Sequence, residues 1–230
     1  MIPSGKFLLT FSAISLANVV TAQLATWEIT GANATVTNPQ AATSLGSNIS
    51  SASLTLGSGV TAASAADTFG GSAFNNTSLA AAITGSDYLS FTIIPSAGYA
   101  LSISSITLNS GVATAVTNFH GELLSSSTGF TSSDSLHSYS FSTTGAPAQS
   151  ITLSGVAGLQ NVSSSIEFHL YGWRDSSGTS TFRIRNLSGN DLVINGSLVA
   201  IPEPSTWAVI LGGVALAGAM IRRRGLACAS

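Results

Sequence analysis

The clearest folding signal in this chain is a two-residue alternation at residues 166–173, which read Ile-Glu-Phe-His-Leu-Tyr-Gly-Trp. Apolar side chains occupy every second position, and polar ones occupy most of the positions between them. A period of two places the apolar side chains on one face of a β-strand and the polar ones on the other. We therefore predict a central strand whose outer face carries Glu167, His169 and Tyr171.

The same pattern recurs in shorter form through much of the chain. Residues 87–94 alternate in the same way, and residues 100–108 change phase at Ser104-Ser105, which predicts a β-bulge. Residues 78–83, with three alanines, could form one or two helical turns instead. Further strands are predicted at residues 25–37, 53–56, 112–120, 136–141, 151–153, 181–187 and 191–200.

Together, these segments predict the fold class. The last two predicted strands are joined by Ser-Gly-Asn at residues 188–190, whose turn chemistry predicts a hairpin. Many short strands, frequent turn residues and no convincing amphipathic helix indicate an all-β domain over residues 23–200. We predict an antiparallel β-sandwich with a jelly-roll-like topology.

The end of the chain has a different character, with three features in a fixed order. Pro202, Glu203 and Pro204 form a stretch that proline geometry holds extended, and Trp207 to Ile221 is an apolar run. Three arginines, Arg222, Arg223 and Arg224, follow it. As a helix, the 15 apolar residues span about 22 Å, which is short for a bilayer core of about 30 Å.

This apolar run has two interpretations. Trp207 suits one membrane interface and the arginines suit the cytoplasmic one, so snorkelling and local thinning would let the helix cross. A buried core helix is the alternative, but it does not require a triple-arginine stop or a Pro-x-Pro entry. We therefore predict a C-terminal transmembrane helix that serves as a temporary anchor.

These residues resemble the PEP-CTERM protein-sorting tail of Gram-negative bacteria, over about the last thirty residues. The resemblance implies that Pro202, Glu203 and Pro204 are the recognition motif of an exosortase, a membrane enzyme that cleaves near it. It also implies that Trp207–Ile221 is the transmembrane segment and that Arg222–Arg224 are the membrane stop. The chain continues for six residues past the arginines, which is a mild departure. The body also resembles the β-sandwich domains that often precede such tails, a resemblance that carries no activity.

The N-terminus has the pattern of a secretory signal peptide over residues 1–22. Lys6 supplies a weak basic region, Phe7 to Val20 the apolar region, and Val20-Thr21-Ala22 a small-residue cleavage site, so we expect the mature chain to begin at Gln23. An amphipathic first helix is the alternative, because polar residues dilute the apolar region. A basic C-terminal stop on the cytoplasmic side requires an exported body, and this favours the signal peptide.

Charge and cysteine content limit the partners. Without both ends, the body keeps three basic and eight acidic residues, a net charge of about −5, and nucleic acid is therefore not an expected partner. The single cysteine, Cys228, lies beyond the arginines, so the exported part can form no intrachain disulfide. Its stability has to come from the core.

No residue pattern indicates catalysis or a metal. The carboxylates are scattered, and a glycosidase pair such as Glu122 with Glu167 is not selected by spacing. His120, His137 and His169 stand far apart with no partner motif, so we expect solvent-facing strand histidines, with no zinc site and no cofactor.

Tyr171, Trp173 and Arg174 are candidate glycan contacts, since aromatic rings with polar neighbours can stack on sugars. The favoured alternative has Trp173 closing the end of the sandwich and Arg174 paired with Asp175.

Taken together, the sequence predicts an exported, non-enzymatic protein. We expect a transient inner-membrane intermediate, processing by an exosortase-type enzyme, and a final place on the cell surface or in the extracellular matrix. A link to exopolysaccharide or biofilm is implied by the resemblance alone. A secreted carbohydrate-binding module and a glycan hydrolase are the alternatives.

Overall fold

Antiparallel strands form most of the regular structure in the computed structural model, which describes residues 22–202. The predicted signal region before Ala22, and the tail from Glu203 onward, lie outside the described residues. Two short α-helices, α1 (Ala34–Thr37) and α2 (Leu79–Gly85), and one 3₁₀ turn, Ala157–Leu159, interrupt the strands. The strands are β1 Ala22–Trp27, β2 Gln40–Ala41, β3 Ser44–Leu45, β4 Ile49–Leu56, β5 Thr61–Ala62, β6 Thr68–Ser72, β7 Tyr88–Pro95, β8 Tyr99–Leu108, β9 Ser110–Val112, β10 Phe119–Ser125, β11 His137–Phe141, β12 Gln149–Thr152, β13 Ile166–Arg174, β14 Phe182–Arg185 and β15 Leu192–Ala200.

Two large sheets form the sandwich, and their strand order gives the topology. The first sheet runs β12-β8-β15-β1-β3, and the second runs β11-β10-β13-β7-β4-β2. Eight strands pair in a nested way: β1 with β15, β7 with β13, β8 with β12 and β10 with β11, all antiparallel. The first strand of the eight thus pairs with the last, and the innermost two with each other. Two Greek keys in a double sheet make this arrangement, which confirms the predicted jelly-roll sandwich.

The core lies between the two sheets and follows the predicted alternation. Ile166, Phe168 and Leu170 of β13 are all fully buried, and Phe168 stacks on Phe91 of β7 with ring centroids 5.2 Å apart. Trp27 at the end of β1 is also fully buried. Each such side chain contributes about 1.5–3 kcal/mol by leaving water, so strand alternation is the main source of stability.

The predicted bulge in β8 is confirmed. Ser105 pairs with Asn195 of β15, but the next pair joins Ile103 to Gly196, so Ser104 is the extra residue. The neighbouring strands fit closely here, because a Cβ at Gly196 would overlap the backbone carbonyl oxygen of Ser102 and lie 2.8 Å from Leu24 Cδ1. Glycine is therefore the residue that this crossing requires.

The predicted hairpin of the last two strands is wrong. β14 pairs with β6 and β9 in a small third sheet, of order β5-β6-β14-β9, whereas β15 pairs with β1 and β8. Buried Asp191 redirects the connection, since its carboxylate accepts hydrogen bonds from the backbone N–H of Leu187 at 2.7 Å and of Ile29 at 2.9 Å. The predicted strand 112–120 is also divided, because β9 ends at Val112 and β10 begins at Phe119.

Helix α2 confirms the helical alternative for residues 78–83. Ser78 caps it, its side chain accepting a hydrogen bond from the backbone N–H of Ala81 at 3.2 Å. Between Ala22 and Pro202, neither helix has the length and apolar character that a bilayer crossing needs.

Candidate functional site

The junction between the body and the tail is the first candidate site. β15 ends at Ala200, and one further hydrogen bond, from Ile201 N to Gly98 O at 2.7 Å, holds the chain to the turn between β7 and β8. Ile201 and Pro202 are exposed. The predicted recognition motif thus begins two residues after the last strand, and its first proline is open to solvent. Glu203, Pro204, the apolar run and Arg222–Arg224 lie outside the described residues.

Both chain ends leave the sandwich at the same end of the first sheet. β1 begins at Ala22 opposite Gly196 of the antiparallel strand β15, which ends four residues later. We call this end the tail end. The predicted cleavage after Ala22 would leave Gln23 as an exposed first residue, with burial beginning at Leu24.

The opposite end, which we call the far end, carries the small third sheet. β8 runs from Tyr99, which pairs with Ala200, to Leu108, which pairs with Leu192, and β9 follows after one residue. The ten residues of β8 span about 30 Å at the rise of a β-strand. The small sheet is therefore separated from the tail by the length of the sandwich.

The outer face of the second sheet carries a second hydrophobic cluster centred on His169. This face is covered, since α2 packs against Leu124 and Tyr171. The His169 ring lies between two aromatic rings, with Tyr88 at 3.7 Å and Phe130 at 3.9 Å between centroids, each tilted by 9°. His169 is only 6 % exposed, so the expectation of a solvent-facing histidine is wrong at this position.

A chain of hydrogen bonds fixes the His169 ring. His169 Nε2 lies 2.9 Å from Glu167 Oε1, which also accepts a hydrogen bond from Ser90 Oγ at 2.7 Å. His169 Nδ1 lies 3.1 Å from the Tyr171 hydroxyl. The geometry favours Nε2–H donating to the carboxylate and Nδ1 accepting from the phenol.

Burial and charge oppose each other in this cluster. Burial lowers the pKa of His169 and outweighs Glu167, whose hydrogen bond and negative charge act to raise it. The pKa of Glu167 is lowered: burial acts against this, but the hydrogen bonds from Ser90 and His169 and the charge of His169 outweigh it. The folded state therefore favours a neutral imidazole beside an ionised carboxylate.

A second histidine–carboxylate pair lies on the same face, toward the far end. His120 Nε2 is 2.7 Å from Asp175 Oδ1, and Asn118 Nδ2 donates to Asp175 Oδ2 at 2.9 Å. These hydrogen bonds, with that of Asn118 the larger cause, lower the pKa of Asp175. Half-buried Trp173 stacks on His120, with centroids 5.1 Å apart and a 9° tilt. We call these four residues the Trp173 patch.

The three predicted glycan contacts do not form one exposed platform. Tyr171 is 2 % exposed and lies under α2, so its ring offers no open face. Arg174 follows Trp173 directly and so points to the other side of the strand, where Nη1 donates to Thr179 O at 3.3 Å. The alternative pairing of Arg174 with Asp175 is also wrong, because Asp175 is engaged by His120 and Asn118.

The register also separates the glycosidase pair considered above. Glu122 lies opposite Tyr171, four residues along β13 from Glu167, which puts the two backbone positions about 13 Å apart at strand spacing. Glu167 is further held by Ser90 and His169.

The three histidines lie in separate environments. His137 Nε2 is 2.8 Å from Gln149 Oε1, whereas His120 and His169 bind different carboxylates. Within residues 22–202, no group of three or more His, Cys, Asp or Glu side chains is placed to hold a metal ion.

Sequence reasoning missed Ser90, Asn118 and Phe130 as members of these clusters. Ser90 could have been found, because it lies on the polar face of the alternating segment 87–94. Phe130 belongs to the serine-rich connection between β10 and β11, and no local pattern indicates that it packs over β13. Asn118 has a left-handed backbone, with φ of 48°, a conformation in which asparagine is enriched.

Comparison with known proteins gives one match. Residues 200–224 match the PEP-CTERM protein-sorting motif, which covers the junction described above and the predicted tail. The match confirms the predicted recognition of the tail, and it indicates an exported protein that is processed by an exosortase and routed through the membrane to the cell surface. Compared with curated proteins and with solved structures, the chain has no match.

Proposed function

From the PEP-CTERM protein-sorting motif at residues 200–224, we propose that this protein is a non-enzymatic component of the cell surface or extracellular matrix. The jelly-roll domain is the part that functions at the cell surface, and the tail is the sorting signal that directs it there. The observation that carries the proposal is the junction: the last strand pairs with β8 through Ala200, and the motif follows within two residues. The N-terminal signal peptide starts export and is removed near Gln23.

The short junction supports a tethered intermediate. Six residues separate Ala200 from Trp207, and the seven extended Cα–Cα steps between the two reach at most about 25 Å. A folded sandwich would therefore stand directly on the membrane while the tail is embedded, with its tail end facing the lipid. An exosortase that cuts near Pro202 would release the sandwich without removing a strand residue.

The scattered carboxylates support the non-enzymatic part of the proposal. The one pair considered for glycoside hydrolysis lies about 13 Å apart along the sheet, and Glu167 serves a structural hydrogen-bond network. The Trp173 patch and the small sheet both lie toward the far end, which would face away from the membrane in the tethered intermediate. Contact with an extracellular polymer at that end is the role we assign to the body.

Localisation of motif variants tests this proposal. Replacing Pro202, Glu203 and Pro204 together with alanine should leave the full-length chain in the inner membrane, whereas the wild type appears shortened in the surface and extracellular fractions. Immunoblots of fractionated cells, with an antibody to the body, measure the distribution. Glu28→Ala is the matched control, since it removes an acidic side chain that accepts a hydrogen bond from the nearby Thr30 hydroxyl. A motif variant that is shortened and exported like the wild type would contradict the proposal.

Carbohydrate binding at the Trp173 patch is the second candidate function. It is supported by the half-buried indole beside a histidine and a largely exposed carboxylate, a combination that suits stacking and hydrogen bonding to a sugar. A polysaccharide pull-down with Trp173→Ala tests it, with Tyr99→Ala as an aromatic control at the tail end. Equal retention of wild type and Trp173→Ala on every polysaccharide bound would exclude the patch.

A further inference from the structure

The small third sheet presents two arginines on one face of a single strand. In β14, Phe182 and Ile184 are fully buried in the core, so the alternating residues Arg183 and Arg185 lie on the opposite face. Both arginines are partly buried. They are two of the three basic residues in the whole body of the protein, the third being Arg174 on β13.

Glycines on the two neighbouring strands flank these arginines, so few side chains stand beside them. Arg183 pairs with Gly70 of β6 on one side and with Gly111 of β9 on the other. A Cβ at Gly70 would lie 2.6 Å from Arg183 Cβ, and one at Gly111 would lie 2.5 Å from Arg185 Cδ. A Cβ at Gly145 would overlap the Arg185 guanidinium. The result is a shelf of backbone beside Arg183, with Thr68 opposite Arg185 on the same face.

The two guanidinium groups carry charge that the fold leaves uncompensated. The ion pairs found among residues 22–202 are the two histidine–carboxylate pairs, and neither arginine takes part in them. Arg183 Nε is buried with no hydrogen-bond partner in the described part of the chain. Burial, and then the neighbouring Arg185, lower the pKa of Arg183. An incoming oxyanion would supply acceptors for the outer N–H groups of the two guanidinium groups.

We propose that Arg183 and Arg185 form an oxyanion site that binds carboxylate groups of an acidic polysaccharide. A guanidinium matches a carboxylate with two parallel hydrogen bonds, and two arginines two residues apart on a strand lie about 7 Å from each other at Cα, which suits separate charges on a polymer. Because Gly70 and Gly111 flank Arg183, no side chain on either neighbouring strand stands beside that charge to exclude a sugar ring. The net charge of about −5 on the body as a whole disfavours a densely charged polyanion such as nucleic acid. The site lies at the far end and needs neither the sorting tail nor the Trp173 patch.

Isothermal titration of the full-length chain, purified in detergent, with polygalacturonate tests the proposal. The matched probe is the same polymer after methyl esterification, which removes the negative charge and keeps the sugar backbone. We expect binding to the free acid that weakens at least tenfold for the ester, and that falls as salt is raised from 50 to 500 mM, because exposed charge pairs are screened. Equal binding of acid and ester, or no binding of the acid at 50 mM salt, would overturn the proposal.

Single substitutions locate the site. Arg183→Gln and Arg185→Gln should each weaken binding about tenfold or more, and Arg183→Lys should recover only part of it, since lysine keeps the charge and loses the paired donors. Arg174→Gln removes the same charge elsewhere and should change affinity less than twofold. A loss in Arg174→Gln as large as in the other two would show a net-charge effect and refute the site.

Two further probes, inorganic phosphate and DNA, test whether another kind of anion binds the same site. Inorganic phosphate should bind far more weakly than the polymer, and a short double-stranded DNA should not compete. If phosphate alone matches the polymer, or if DNA competes, the polysaccharide assignment is wrong. Thermal unfolding of each variant reports whether it is folded, and the acid–ester comparison on the wild type decides the ligand class independently of any variant.

Discussion

Replacing Phe130 with alanine uncovers one face of the His169 ring, and we expect the pKa of His169 to rise toward its ordinary value. Phe130 stacks on that ring at 3.9 Å, and Tyr88 covers the other face at 3.7 Å. Burial is the main cause of the lowered pKa, and Glu167 opposes it. Removing a covering ring reduces the first effect while Glu167 stays in place, so the balance moves toward the protonated form.

The cost in stability should be modest. A stacked aromatic pair contributes about 0.5–1.5 kcal/mol beyond its buried area, and half-buried Phe130 leaves a smaller cavity than a core phenylalanine does. We therefore expect the free energy of unfolding to fall by about 1–2 kcal/mol, by urea denaturation at pH 8. The variant should remain folded and suitable for titration.

The dependence of stability on pH follows from the sign of the shift. In the unfolded chain, His169 titrates near pH 6.5, and in the folded protein its pKa is lower. Stability is therefore complete above the unfolded value and is lost as the pH falls toward the folded pKa. The lowered pKa of Glu167 adds a further loss below pH 4.5, its ordinary value. In Phe130→Ala, the loss near pH 6 should become smaller.

Proton NMR of the imidazole Cε1–H signals measures the pKa directly, with His→Gln variants assigning the three histidines. Tyr99→Ala is the control, because it removes a partly buried aromatic side chain at the tail end, away from His169. An unchanged or lower His169 pKa in Phe130→Ala would refute burial as the dominant cause.

Three further substitutions test the packing of the sandwich by urea denaturation. Phe182→Ala should lower the free energy of unfolding by about 3–5 kcal/mol, because the buried ring packs on Phe74 and Phe119 with ring centroids 5.3 and 4.9 Å apart. A decrease below about 1 kcal/mol would contradict this packing. Asp191→Ala should cost about 2–4 kcal/mol by leaving two backbone N–H groups unpaired, and full stability would show that they have other partners. Gly196→Ala should cost about 1–3 kcal/mol through overpacking against Leu24, whereas Gly155→Ala, with open space at its Cβ, should change stability by less than about 0.5 kcal/mol.

The fold class was predictable because the core is built by alternation. The segment 166–173 buries the residues that its pattern selects, and the phase change at Ser104-Ser105 marks a real bulge. Both features are local, since they depend only on which face of a strand each side chain occupies.

The partner of each strand was less predictable. β14 and β15 are neighbours in sequence with turn residues between them, yet they belong to different sheets, because Asp191 binds Leu187 and Ile29 and turns the connection. The backbone N–H of Ile29, which Asp191 binds, lies 162 residues away in the sequence, and turn residues give no information about so distant a partner.

Burial on the outer face depended on elements far away in sequence. The alternation correctly assigned His169 and Tyr171 to the face away from the core, and solvent was expected there. Helix α2 and Phe130 cover that face, and neither segment has a sequence pattern that indicates where it packs. The sequence does not indicate the arginine pair as a site, because Arg183 and Arg185 lie together beside glycines only once β6 and β9 pair with β14.

Mass spectrometry of the C-terminal peptide of the mature protein tests the central claim most directly. In material recovered from the cell surface or the medium, we predict a new C-terminus close to Pro202–Pro204, with the sandwich through Ala200 intact. The apolar run and the three arginines should be missing from it. Recovery of extracellular protein that still ends with Arg222–Arg224 and the residues after them would contradict the account.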